Sequence, residues 1–482
     1  MISKSAFIRG VQCLKSLYLH KKRPFLRDPL PYKTKAKFKR GYAVGKFAQQ
    51  LFPDGIDLSH SNPRAYIKAT EKAKIELAKK HHAYYEVPFF HCEALSILDI
   101  FTYNNEWNAY EVKSSLSISE TYLWDAAFQA CLIKESGFDI RNFFIIHLNP
   151  EYILEKELNI QELFIFENVN SEIKKRIGLI PSLIKKQFET VKLGKPPDIH
   201  IGQHCFKPYT CDFLGHCWKN ISKLSVFDII GIDNEKKFDL FVRKKHDIKI
   251  AISEFYDTKA KIQANAIIEN KIHIDKKELK KYFEKNCSKI IKTIFHKPAI
   301  PVSENTKPFQ ITPLVIIETA HDNNGNILAK ETILLTYSKN NWEEIIKYLS
   351  KLEANNDCIY VFDEIEKWND IVSTIKTNHN VDFTLLINKI RDVKLIFDNF
   401  YYFSPDFAGD FSFNNIIKHF QPDFIQKLKN NKSHTNDWDV EEFINKNINS
   451  LFDIKDIITK YGVICNTGLY EIRRKIIELI NT

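Results

Sequence analysis

Two carboxylates and an amine stand close together in one stretch of the chain. Asp99 lies in Ser96-Ile97-Leu98-Asp99-Ile100, and Glu111 and Lys113 lie in Tyr110-Glu111-Val112-Lys113-Ser114. In an extended strand successive side chains alternate faces, so Glu111 and Lys113 share one face and Val112 takes the other. Asn104-Asn105-Glu106 is a turn signal between the two stretches. If they pair as a hairpin, Asp99 comes beside Glu111 with Lys113 next to both. Two carboxylates are hard oxygen donors of the kind Mg²⁺ or Mn²⁺ prefers. Such an ion lowers the pKa of a bound water and neutralises charge on a phosphodiester under attack, and Lys113 is placed to hold the phosphate or the water. Asp125 and Gln129, four apart on the helix expected next, share a face, which gives Gln129 access to the attacking water or a base edge. Glu86 falls in the same group of strands, where a solvated glutamate is the ordinary reading. A hairpin with two surface acids and a lysine would show the same spacing.

The second group is sulfur. Gln203-His204-Cys205-Phe206-Lys207-Pro208-Tyr209-Thr210-Cys211-Asp212-Phe213-Leu214-Gly215-His216-Cys217-Trp218 holds three of the nine cysteines. Thiolates at that density in a reducing compartment favour a soft metal centre. Cys13, in Val11-Gln12-Cys13-Leu14-Lys15, is the candidate fourth ligand of a [4Fe–4S] cluster that would tie the N-terminal helix to the far end of its domain. A zinc site that uses His204 or His216 is the competing reading. Disulfides are not expected in a cytoplasmic protein, so Cys92, Cys131, Cys287, Cys358 and Cys465 read as isolated packing residues.

These groups need elements to carry them. A helical pattern over about 64–82 precedes three β-rich segments at Tyr84–Phe90, Leu95–Tyr103 and Trp107–Ser114. A helix follows over about Glu120–Glu135, ended by Gly137, and then a buried strand over Phe143–Leu148. The order is α-β-β-β-α-β, a small mixed sheet with flanking helices. The 150–200 segment reads as helical with polar breaks. A short β-rich bridge with a helix at Lys277–Phe283 occupies 223–284, and a second α/β domain fills 285–482. The chain's 482 residues exceed one ordinary core. There is no dinucleotide or phosphate-binding glycine loop and no internal repeat.

Charge is unevenly placed. The first 50 residues hold 13 Lys+Arg to 1 Asp+Glu, and residues 1–220 hold 32 to 23, which leaves 38 to 37 for the remainder. A basic N-terminal face with a neutral remainder suggests a polyanion partner for the N-terminal domain, although a solvated basic surface would look the same. No run of 18 apolar residues occurs, so no membrane span is expected. The N-terminus lacks an apolar signal core, which makes the expected location cytoplasmic.

The sequence of motifs, an early Cys13, Asp99, Glu111-x-Lys113, a helix with Gln129 and three late cysteines, resembles the RecB-type nucleases with a C-terminal cysteine cluster. Among them are the CRISPR-associated iron–sulfur nucleases and the AddB helicase–nuclease subunit. The whole chain resembles the bacterial family of domain of unknown function 2779, through Ser3-Lys4-Ser5, Gln12-Cys13, Tyr110–Ser115 and His204–Tyr209. The resemblance implies an α/β protein with a PD-(D/E)XK restriction-endonuclease-like domain over 1–222 and a second domain of RNase H-like exonuclease type over 285–482. It implies Asp99 and Glu111 as metal ligands, Lys113 as the catalytic lysine, Gln129 as the motif glutamine and Cys13, Cys205, Cys211 and Cys217 as cluster ligands. The expected activity is metal-dependent DNA cleavage, on single strands or ends; a DNA-binding or inhibitory scaffold that does not cut is the alternative. Two departures stand out. Gly41-Tyr42-Ala43-Val44 is followed by Gly45 where CRISPR-associated relatives place a metal-binding His, which leaves Glu86 as the substitute ligand, and Ile133 replaces an aromatic after the helix glutamine. In the C-terminal domain the acidic slots before Pro298-Ala299-Ile300-Pro301 fall on Lys292 and Ile294, Glu366 and Asp392 remain, and the last acid is Asn466. Lysine and isoleucine cannot bind Mg²⁺ as carboxylates do, so this half is expected to lack a metal site and to serve binding, a protein partner included.

Overall fold

A computed structural model describes residues 1–29, 32–60, 66–221, 225–285, 287–335, 341–355, 357–430, 436–446 and 451–482. It is a mixed α/β protein in two compact units, Met1–Asn220 with Pro298–Phe309 and Ile221–Lys297 with Gln310–Thr482. Among the described residues no helix is long and apolar enough to cross a membrane.

The first unit runs β1 (Ile2–Ser3), α1 (Lys4–Gln12), α2 (Leu14–Lys22), α3 (Tyr32–Gln49), β2 (Ile56–Asp57), α4 (Tyr66–Leu77), β3 (Ala83–His91), β4 (Ala94–Asn104), β5 (Glu106–Lys113), α5 (Glu120–Glu135), β6 (Ile140–Leu148), α6 (Ile160–Leu163), β7 (Phe164–Asn168), α7 (Asn170–Arg176), α8 (Ile180–Lys192) and α9 (Leu214–Cys217). The helix–three strands–helix–strand order is therefore present; residues 64 and 65 of the expected helix lie outside the described residues. The hairpin turn is made by Asn105 at φ 59° and α5 ends before Gly137 at φ 92°, both left-handed positions suited to those residues. The 150–200 segment is not wholly helical, because Phe164–Asn168 pairs with β6 as an added strand.

The sheet order is β2-β3-β4-β5-β6-β7, with β1 parallel to β4. Alternation sorts its side chains into two cores. Phe101, Phe143 and Ile145 pack with Phe7 and Phe128 of α1 and α5, whereas Ile100 and Ile146 pack with Val44 and Ala48 of α3. Residues 298–309 belong here because Ala299 joins the α3-side core and Leu154 bridges Thr306.

In the second unit the strands β8 (His273–Ile274), β9 (Lys289–His296), β10 (Thr312–His321), β11 (Ile327–Leu334), β12 (Ile359–Val361), β13 (Ile390–Asp392) and β14 (Tyr402–Phe403) include one sheet of order β11-β10-β9-β12-β13. β9, β10 and β11 are antiparallel, and β12 and β13 continue the sheet in parallel. Ile290 and Ile317 face the helix Leu451–Asn481, while Ile291 and Ile316 face the helices Asn341–Ala354 and Ile365–His379.

The segment expected as a β-rich bridge belongs to this unit and is mostly helical over its described residues; residues 223 and 224 lie outside them. Asp233, Asp247, Asp257 and Asp275 each accept a backbone N–H in the first turn of the helix that follows. The Asp275 cap opens the helix expected at Lys277–Phe283, and the other three start helices where a β-rich bridge was expected. Cys287 and Cys358, expected as separate packing residues, form a disulfide, because β9 and β12 pair in parallel just beyond them.

Candidate active site

The hairpin register sets Asp99 opposite Glu111. The β4–β5 ladder runs from Asn104↔Glu106 to Ile100↔Tyr110 and stops there. Beyond that point the edge of β4 is taken up by β1, at Leu95↔Ser3 and Ala94↔Ile2. Asp99 sits in the notch between the two partners, and its Oδ2 accepts the Val112 amide at 2.6 Å. On the other side, Tyr85↔Ile100 and Val87↔Leu98 flank Glu86 and Asp99. The three acids Glu86, Asp99 and Glu111 thus form one transverse row over β3, β4 and β5. Alternation breaks at this row, since Leu98 and Ile100, two residues apart, pack in different cores, as do Val87 and Tyr85. Glu86 carries a left-handed φ of 53°, a conformation a non-glycine residue holds only where its surroundings impose it.

Glu111 is the hub. Its Oε1 accepts Lys113 Nζ at 2.6 Å and Lys4 Nζ at 2.7 Å, and its Oε2 accepts Gln129 Nε2 at 2.8 Å. Lys113 also donates to Asp125 Oδ2 at 2.6 Å and lies 5.0 Å from the centre of the Tyr122 ring. Asp125 Oδ1 is buried without a hydrogen-bond partner. Gln129 is 0% exposed and accepts Ser96 Oγ at 2.9 Å. It therefore orients Glu111 from behind, and the expectation that it meets the attacking water or a base edge is corrected by that burial.

The charges follow from this packing. Burial and the neighbouring Glu111 push Asp99 up to about 7. Burial also opposes ionisation of Glu111, but Lys113 and Lys4 outweigh it and hold the group down at about 2. Burial raises Asp125, and burial raises Glu86. Both lysines lose hydration, yet their acid neighbours keep them charged, with pKa values above the ordinary lysine range. Hard carboxylate oxygens in one row, one of them still holding a proton near neutrality, fit a divalent cation in kind. As the side chains stand, both Glu111 oxygens are engaged, and among the described residues no group of three or more His, Cys, Asp or Glu side chains is set to hold a single ion.

Lys4 is the residue that sequence reasoning missed. It opens α1, where Ser3 caps the helix and β1 fixes the chain against β4. The only signal was the phrase Ser3-Lys4-Ser5, which carried no chemistry by itself.

Cys13 joins α1 to α2 at φ −162°, an extended break between the two helices. Burial and the nearby Cys211 and Cys205 raise the Cys13 thiol; burial and Cys211, Cys205 and Cys13 outweigh Lys15 and raise Cys217. The four thiols are thus close enough to feel one another. Gln12 Nε2 donates to the His204 and Tyr209 carbonyls, each at 2.7 Å. Arg9 and Arg27 both pair with Asp212. Tyr18, Leu19 and Phe213 pack around Cys211 and Cys217. Of the other cysteines, Cys131 and Cys465 are buried as expected, whereas Cys92 is exposed at the β3–β4 turn.

In the second unit, Lys292 Nζ lies 2.8 Å from Asp437 Oδ2 and 3.4 Å from Glu364 Oε1. Glu364 is 1% exposed and its Oε2 has no partner. The acid facing Lys292 is therefore Glu364; Glu366, expected in that slot, is exposed in the first turn of the helix. Asp392 accepts the backbone N–H groups of Asp363, Glu364 and Ile365. Asn466 donates to the Ile290 and Ile317 carbonyls, and Ile294 is core. An ammonium occupies the space between acids, and the remaining slots serve the backbone.

None of three comparisons, with protein-family models, curated proteins and solved structures, returns a match for this chain.

Proposed function

We propose that the first unit is a metal-dependent DNA nuclease of PD-(D/E)XK type, acting on single strands or ends. The observation that supports it is the notch where β4 leaves β5, into which Asp99, Glu111, Lys113 and Asp125 converge from three elements. Asp99 and Glu111 would hold Mg²⁺ or Mn²⁺, with Glu86 in the same row. When bound, such an ion supplies an acidified water and neutralises charge on the phosphate. Gln129 fixes the Glu111 carboxylate, and release of the Asp99 proton frees a second oxygen ligand. Lys113 is held between Glu111 and Asp125; were Glu111 to ligate that ion, the Lys113 ammonium would be free to meet a phosphate oxygen. Lys4 keeps Glu111 neutralised in the meantime.

The four cysteines support a [4Fe–4S] staple, since their thiols lie near one another and the loop is stitched to α1 and α2; zinc with His204 or His216 is the other candidate. The mixed antiparallel and parallel sheet of the second unit, with helices on both faces, supports an RNase H-like relative. There Lys292 takes the place of a cation, which favours a binding role, a protein partner included. The family of domain of unknown function 2779 is the reading these motifs support best, and a cytoplasmic location accompanies it, where reducing conditions would hold Cys287 and Cys358 as thiols.

One observation favours a scaffold that binds DNA without cutting it, namely that Glu111 is fully engaged by Lys4, Lys113 and Gln129. Manganese binding, followed by electron paramagnetic resonance, separates the two. Wild type and Lys113→Ala should take up Mn²⁺, and Asp99→Ala and Glu111→Ala should lose it. Uptake that survives both acid substitutions would exclude the notch as the metal site.

A further inference from the structure

The helix α3 carries an outward strip that the notch does not use. Its 18 residues contain no Asp or Glu. Val44 and Ala48 turn inward to the core, and a Cβ on Gly41 would stand 3.8 Å from Ser114 Oγ, so the inner face rests beside the residue that follows Lys113. On the outer flank Phe38 is 63% exposed and Tyr42 is 72% exposed. Four residues apart, they lie one above the other. Cations frame them, with Lys46 Nζ 5.9 Å from the Tyr42 ring centre and Lys37 Nζ 5.4 Å from that of Tyr209. Tyr209 is itself 42% exposed and lies close enough to Lys113 and Asp125 to feel their charges. Aromatic faces and ammonium groups therefore run from α3 to the mouth of the notch.

Scattered exposed apolar residues need no explanation, but two exposed rings one turn apart on a helix without acids, continued by a third near Lys113, match one partner. We propose that this strip is a track for single-stranded DNA, in which bases stack on Phe38 and Tyr42 while Lys37 and Lys46 follow the phosphates. Every base offers a π-face, so the track is tolerant of sequence. In a duplex those faces are already stacked on their neighbours, so the strip distinguishes strand state. An acidic peptide would satisfy the cations and leave the rings uncovered. The track delivers substrate to the proposed nuclease site and rests on that reading for its purpose, though not for its binding.

The experiment is a fluorescence-anisotropy titration of the full chain with a labelled oligothymidylate and with a duplex of equal length, in EDTA so that nothing is cut. Replacing both rings, Phe38→Ala with Tyr42→Ala, should weaken single-strand binding by about thirtyfold or more, because each stacked base contributes about 1–3 kcal/mol. Duplex binding should stay within about twofold, and the salt slope should not change, since no phosphate contact is removed. Tyr42→Phe should bind as wild type. Both side chains are exposed, so unchanged thermal melting will accompany the loss. Single-strand affinity unaltered by the double change, equal loss for both DNA forms, no binding of the oligothymidylate by wild type, or equal competition by a polyglutamate peptide would each overturn the track. Failure of the nuclease reading shows differently, as ring-dependent binding with no cleavage when Mn²⁺ is restored.

Discussion

Replacing Asp99 by Asn should make the protein more stable at mildly alkaline pH while removing a proposed metal ligand. Asp99 has its pKa at about 7 against an ordinary 3.8, because burial and Glu111 disfavour its charged form. Below pH 4 it is protonated in both folded and unfolded chains, and nothing is lost. Between pH 4 and 7 the unfolded chain releases this proton while the folded chain keeps it, so the unfolding free energy falls as pH rises. Above pH 7 the loss is complete, and at about 1.4 kcal/mol per pKa step it amounts to about 4 kcal/mol. Asn cannot ionise, and its side-chain oxygen can still accept the Val112 amide that Asp99 now receives. The variant should therefore match wild type at pH 4 and exceed it at pH 8 by up to about 4 kcal/mol, a rise of roughly 10 °C in melting temperature for a unit of this size. The assay is thermal and urea unfolding of both proteins in EDTA over pH 4–9, followed at the aromatic residues of the first unit. Equal pH slopes for the two proteins, or a variant less stable at pH 8, would refute the electrostatic account of the notch.

Two further outcomes concern the other buried groups. Protein purified without oxygen should contain iron and sulfide, and Cys205→Ser, Cys211→Ser or Cys217→Ser should lose both and destabilise the first unit; stoichiometric zinc without iron in elemental analysis would replace the cluster assignment. Lys292→Met should lower the stability of the second unit by roughly 3–5 kcal/mol, since it leaves Glu364 buried without a cation. The deficit should shrink at acid pH, where Glu364, its pKa raised by burial, becomes neutral. A neutral substitution in chemical unfolding would contradict that role.

The hairpin and its partners were legible because they are local. Alternation placed Glu111 and Lys113 on one face, Asn105 marked the turn, and four residues on one helix placed Asp125 above Gln129. What escaped notice was non-local or short. Lys4 reaches Glu111 through a two-residue parallel pairing that leaves no periodic trace. Cys287 and Cys358, 71 positions apart, meet through the parallel pairing of the strands that follow them. The slot given to Glu366 belongs to Glu364, because the helix begins at Ile365 and turns Glu366 outward. The role of Gln129 depends on its burial, which one helical period does not reveal when α5 is apolar nearly all round.

The central claim is that Asp99, Glu111 and Lys113 cut DNA. The most direct measurement is a cleavage time course on labelled single-stranded DNA with Mn²⁺, comparing wild type with Glu111→Gln, which removes the carboxylate charge and keeps its shape. Wild type should cleave, and Glu111→Gln should be inactive while it binds the same DNA with unchanged affinity. Cleavage by both proteins alike, or by neither, would contradict the account.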